Sequence, residues 1–145
     1  MAVLTRALPC VAAAAVLAAA APARGSAQLT QDEALELAFP DAEISRRTAF
    51  LDEAETRRAS ELAGPGVEVE SSVVTYYVAL RGGEAIGVAY FDVHRVRTLP
   101  EVLMVVVGTD GRIRELETVS WKEPPEYRPP QGWLRQFQGQ RLHEG

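Results

Sequence analysis

One cysteine, Cys10, and two histidines, His94 and His143, are the only thiol and imidazoles among the 145 residues. Cys10 falls in the N-terminal leader and lacks the Leu-x-x-Cys setting of a lipoprotein signal. The rest of the chain is thiol-free, which excludes disulfides, thiolate metal ligands, haem attachment through cysteine and cysteine nucleophiles together. A metal centre on His94 would need at least two more convergent ligands, and His143 near the C-terminus is a poor one, so no metal is expected. Basic blocks are also missing: 15 Lys and Arg stand against 20 Asp and Glu, a formal charge of -5. Without a run of phosphate contacts, nucleic acid is not expected as the main partner. The chain has no Ser-His-carboxylate order, no glycine-rich phosphate loop, no nicotinamide-binding fingerprint and no zinc-protease motif. Internal repeats and interdomain linkers are absent as well, which leaves one domain.

The one sustained apolar run is Ala7 to Ala21, behind Arg6 and ahead of Gly25-Ser26-Ala27. It is short and alanine-rich for a membrane anchor. Residues 1–27 read as a secretory signal peptide with cleavage after Ala23 or Ala27. Residues 28–145 then form the domain, long enough to bury a core without staples. Loss of Arg6 and Arg24 leaves it two charges more negative.

Thr30-x-x-Glu33 is a capping box opening a short helix with Ala34, Leu35, Leu37 and Ala38 on its buried face, and Pro40 stops it. A second helix follows Leu51, capped by Asp52 with Glu55 as the third-position partner, and Gly64-Pro65 ends it. It is weakly apolar and belongs on a surface. From Val67 the period changes to 2. Val67 and Val69 alternate with Glu68 and Glu70, and Val73 to Leu80 is dense in β-branched and aromatic residues. Arg81-Gly82-Gly83-Glu84 is a turn, and further strands span about 85–93, 102–107 and 113–121, the last pair joined at Thr109-Asp110-Gly111-Arg112. The expected fold is α+β: an antiparallel sheet of about four strands in two hairpins, two N-terminal helices covering one face, and a short C-terminal helix bearing Trp133 and Phe137.

The stretch from Glu123 to Leu142 organises the rest. Pro124, Pro125, Pro129 and Pro130 lack amide donors and hold φ near -65°, so the backbone there should be extended before a helix starts at Pro130 or Gln131. A carboxylate on so stiff a backbone is placed: Glu123 can accept from a ligand ring N–H, or pair with Lys122 or an arginine. Trp121 and Trp133 can stack on a planar ligand or serve as ordinary core and rim. Arg95 and Arg97, at alternate positions of an extended segment, can grip a phosphate or carboxylate, or pair with Glu101, Glu123 or Glu126. His94 either shapes a ligand pocket or lies partly exposed at a strand end.

From Leu29 to Leu142 the chain resembles the exported FMN-binding domain of flavoprotein subunits in ion-translocating respiratory reductases and related periplasmic electron-transfer proteins. The resemblance is carried by LTQDEALELAFP (29–40), YFDVHRVRTLPE (90–101), VVVGTDGRIRELE (105–117) and WKEPPEYRPPQGWLRQFQG (121–139). It implies non-covalent FMN near Glu123, Pro124, Trp133 and Phe137, with polar groups from the segment His94, Arg95, Arg97 and Thr98. It further implies electron transfer with a membrane respiratory or periplasmic redox protein, in the periplasm or at the outer face of the cytoplasmic membrane, rather than independent enzyme activity. The family's flavinylation motif, a Gly-Ala-Thr whose threonine carries the FMN phosphoester, occurs nowhere in these residues. Covalent attachment is not available to this chain, the domain is expected to be C-terminally incomplete, and flavin affinity is expected to be low. The alternative is a flavin-free interaction or accessory domain of the same fold.

Overall fold

The computed structural model describes residues 28–142. The signal peptide, Cys10 and His143 lie outside them.

A capped helix and a short loop lead into the sheet. Helix α1 (Gln31–Ala38) starts as its sequence dictates: the Thr30 hydroxyl accepts from the Glu33 amide at 3.2 Å, and the Glu33 carboxylate reaches back to the Thr30 amide at 2.8 Å. Two orphan donors are thereby satisfied reciprocally. Strand β1 (Glu43–Phe50) follows, then α2 (Glu53–Ala63), β2 (Val73–Arg81), β3 (Glu84–Arg95), β4 (Pro100–Gly108) and β5 (Ile113–Trp121). Asp52 and Glu55 cap α2 in the same reciprocal way. The strands form one antiparallel meander in the order β1-β2-β3-β4-β5. All five therefore share two ends: an upper one, where β1, β3 and β5 finish, and a lower one, where β2 and β4 finish.

The sheet has five strands rather than four, and the strand not anticipated is β1. EISRRTAF carries two adjacent arginines and no clean alternation, and it is an edge strand held by β2 alone, from Glu43↔Leu80 to Phe50↔Val73. Only the register with β2 makes it a strand. Conversely, Val67–Glu70 alternates like a strand but is a loop with no ladder; its Val69 amide donates to the Ser60 hydroxyl of α2 at 2.9 Å. One helix, not two, covers the sheet, because α2 buries none of its residues.

Ala34, Leu35 and Phe39 of α1 and its exit pack on Ala79, Ala89, Met104, Val106 and Val119 from four successive strands. Small residues on β2 and β3 let the helix approach: a Cβ on Gly87 would sit 3.0 Å from the Phe39 ring and 2.9 Å from the Val107 carbonyl. The Leu29 amide donates to Val119 O at 3.0 Å, so the chain enters the fold along β5. Near the upper end the sheet opens, since β2 and β3 pair only from Tyr76↔Tyr90 downward, while β3 stays paired to β4 as far as Arg95↔Pro100.

Past β5 the proline arm is extended at Pro124 (φ -52°, ψ 141°), Arg128 (φ -68°, ψ 129°) and Pro130 (φ -61°, ψ 141°), with one 3-10 turn over Pro125–Tyr127. Helix α3 (Gln131–Leu134) continues as a 3-10 turn, Arg135–Phe137. Trp133 and Phe137 are thus on successive short turns rather than one helix.

Candidate functional site

Glu123 leaves β5 with its backbone fixed by the prolines behind it, and its side chain turns to the β3–β4 connection. One carboxylate oxygen accepts from the Thr98 amide at 2.6 Å, the Leu99 amide at 2.8 Å and the Thr98 hydroxyl at 3.1 Å. The residue is only 8% exposed. The Thr98 and Leu99 amides, then the Thr98 hydroxyl and the nearby Arg97 charge, outweigh desolvation and hold the carboxyl below its ordinary value of 4.5. Arg95 donates to the Thr98 carbonyl at 2.9 Å, and the Arg97 guanidinium lies over the Tyr127 ring, 4.4 Å from its centroid. The indole N–H of Trp121 donates to the Pro124 carbonyl at 3.2 Å. The turn, the arm and the exit of β5 are therefore one fastened unit.

His94 lies across the ladder from Glu101. Its Nδ1 is 2.7 Å from Asp92 Oδ2 and its Nε2 is 3.2 Å from Glu101 Oε2. Glu101 is 5% exposed and also accepts from the Thr118 hydroxyl at 3.1 Å. The imidazole is thus bracketed by carboxylates and lies partly exposed near the end of β3. Among the described residues no group of His, Cys, Asp and Glu could hold a metal ion.

Trp133 and Phe137 stand elsewhere. They meet edge to face at 5.3 Å with Trp133 53% exposed, while Leu134 between them is buried. Gln131 reaches the Glu117 carboxylate at 3.1 Å and the Gly139 amide donates to Ile113 O at 2.8 Å, so this pair runs beside the lower half of β5. At about 3.3 Å per strand residue, that is roughly 20 Å from Glu123. The eight expected site residues therefore divide. Thr98 and Glu123 bind each other, with Arg95, Arg97 and Pro124 around them; His94 belongs to a separate carboxylate pair; Trp133 and Phe137 form a third place.

A recess does separate the arm from the strands. A cleft of about 1000 Å³ lies between α1, the outer side of β5 and the arm. Leu29, Leu37, Leu116 and Leu134 supply its apolar wall, Pro125, Pro129 and Pro130 its far side, and Arg114, Arg128 and Arg135 its cations. Arg114 is paired with Asp110 at 2.8 Å, and Arg128 donates to the Thr118 carbonyl at 3.1 Å with Glu117 at 4.0 Å. None of the eight expected residues lines it. Sequence reasoning passed over Arg128 and Arg135, whose signal was their place within the same proline arm and helix. Arg114 had no such signal, because its direction depends on a bulge in β5, between the pairs Val106↔Glu115 and Val107↔Ile113.

No family model matches the chain, and neither a curated protein nor a solved structure matches it.

Proposed function

We propose that the chain is an exported FMN-binding domain that carries electrons for a membrane respiratory or periplasmic redox protein, with the flavin in the cleft between α1, β5 and the proline arm. The observation that carries this reading is the cleft's make-up: a volume of about 1000 Å³ with a leucine and proline wall and three arginines against two glutamates, Glu115 and Glu117. Its size is at the upper end of ordinary ligand pockets, and its leucines and prolines share the lining with charged and amide side chains. A flat ring system fits the first feature and a terminal phosphate the second, because guanidinium forks match phosphate oxygens.

The group fits these residues, not the set first expected from the sequence. Leu29, Leu37, Leu116 and Leu134 would bracket the ring, and Arg128 and Arg135 would hold the phosphate. Bound FMN supplies one- and two-electron transfer; the protein supplies position and exclusion of water. Arg135 is the more available cation, since Arg128 is already engaged with β5.

FMN titrated against the full chain, followed by quenching of flavin fluorescence, tests the assignment. Arg135→Glu is expected to weaken binding about tenfold or more, the scale of a lost charge-assisted contact. Equal titrations for the two proteins would remove the flavin from the cleft.

A second reading, a flavin-free interaction or accessory domain, is favoured by one observation. The Thr98 and Leu99 donors are all taken up by one oxygen of the Glu123 carboxylate, so neither amide is open to a ring at the place the resemblance indicated. Protein purified from its exported compartment without the visible absorption bands of oxidised flavin, and taking up no added FMN, would support it.

A further inference from the structure

Exposed apolar side chains gather at the upper end of the sheet. Of eleven exposed large hydrophobics among the described residues, Phe50 (78%), Val73, Val93 (66%), Val96, Leu99 and Tyr127 lie on its strand ends, its β3–β4 turn and the start of the arm. By register Phe50, Val73 and Val93 point to the side that α1 covers lower down, beyond the reach of that eight-residue helix. Singly such residues mean little; clustered at one end of an acidic protein they mark a contact surface.

Two features say what meets it. The first is the turn itself, where Arg95, Val96, Arg97, Thr98 and Leu99 alternate cations with apolar side chains. Lys122 stands exposed beside it, and Trp121 and Tyr127 flank it with amphipathic rings. That composition is the one found at the boundary between headgroups and acyl chains. The second is stiffness: Glu123 clamps the Thr98 and Leu99 amides, so little freedom is lost when the turn is seated.

We propose that the upper end of the sheet, led by the β3–β4 turn, seats on the surface of an anionic phospholipid bilayer, with Val96 and Leu99 at the acyl boundary and Arg95 and Arg97 among the headgroups. The exposed carboxylates of this end, Asp52, Glu53 and Glu55 at the start of α2 and Glu68 and Glu70 before β2, stand on its β1–β2 side, whereas at the β3–β4 tip the carboxylates are withdrawn. Glu123 and Glu101 are buried, the first on turn amides and the second against His94 and Thr118. Asp92 lies three residues before Arg95 against His94, and Glu126 belongs to the arm. The surface is independent of the cleft, so it stands or falls apart from flavin binding.

The experiment uses the full chain with Cys10→Ala and a single new cysteine carrying an environment-sensitive dye, at Val96→Cys on the turn or at exposed Thr109→Cys at the lower end. Vesicles contain equal parts phosphatidylcholine and phosphatidylglycerol, with or without a quencher on the acyl chains. The Val96 dye is expected to shift to the blue and be quenched, and the Thr109 dye to change in neither respect. No quenching at Val96, or equal quenching at both positions, overturns the proposal, the second because it describes a tethered domain with no preferred end. A blue shift at Val96 that needs no vesicles and grows with protein concentration also overturns it, in favour of a second copy of the chain. Separately, Arg95→Gln with Arg97→Gln should cost roughly fivefold in vesicle affinity per arginine. The loss should vanish on pure phosphatidylcholine; an equal loss on both vesicle types would remove the anionic headgroup from the assignment.

Discussion

Glu123 is a carboxylate with one job visible in its contacts: it replaces ladder partners for a turn whose amides would otherwise face away from any strand. Its carboxyl is held below 4.5, so the folded state binds its proton more weakly than the unfolded chain does. The stabilisation is complete above that value and is lost as pH falls through the lower, folded one. Glu33, held down by the Thr30 amide and hydroxyl, and Asp110, held down first by the Arg112 amide, act in the same direction. Urea midpoints should therefore hold between pH 7 and 5 and decline as pH is lowered below about 4.5. Glu123→Gln should be less stable than the parent at pH 7 and should decline less steeply; a parallel pH profile for the two proteins would assign the acid sensitivity elsewhere. The two capping boxes were legible in the sequence because their partners are three residues apart. The partner of Glu123 was not, because it lies 25 residues away and depends on which strand ends meet at the top of the sheet.

The arm and α3 are best understood as the covering of an edge. β5 is the last strand, and its outer carbonyls would be a template for pairing with another chain. Arg128 takes Thr118 O, Gly139 donates to Ile113 O at 2.8 Å, Ile113 donates to Gln140 O at 2.9 Å, and Leu142 donates to Gly111 O at 3.0 Å. Gly139 makes this return with φ at 81°, a conformation that costs a side-chain-bearing residue about 1–2 kcal/mol. Gly139→Ala should lose about that much and should speed hydrogen exchange of the Ile113 amide relative to amides of β3. Unchanged protection at Ile113 would mean the arm docks without this bond. The stiffness of the arm could be read from its four prolines, and strands β2 to β5 from their periods. β1 could not be read, since an edge strand with Arg46 and Arg47 side by side has no pattern until β2 supplies its register. Trp133 and Phe137 were read onto one helix from their spacing, whereas they meet across two short turns, and spacing could not say that these lie beside the lower half of β5.

The molecule as a whole is one sheet with a single helix on one face and a C-terminal strap on one edge. Its core is thin, and Met104, at 2% exposure, is the largest fully buried side chain in it. Met104→Ala should cost about 2–5 kcal/mol. A loss under 1 kcal/mol in urea denaturation would show that the layer between α1 and the sheet closes over the gap. The α+β class and an antiparallel sheet built from hairpins were legible from periodicity. The cleft was not, because it is made by three segments that are far apart in the chain: α1, the bulged β5 and the arm.

That α1 lies on Val119, and the strap on Ile113, means that the first and last pieces of the fold both wait for the same strand. A growing chain that has reached Gly108 can zip its hairpins and lay α1 on Ala79, Ala89 and Met104, yet that layer still lacks Val119 and there is no edge for the strap. The last quarter of the sequence therefore finishes a seam that the earlier strands only begin.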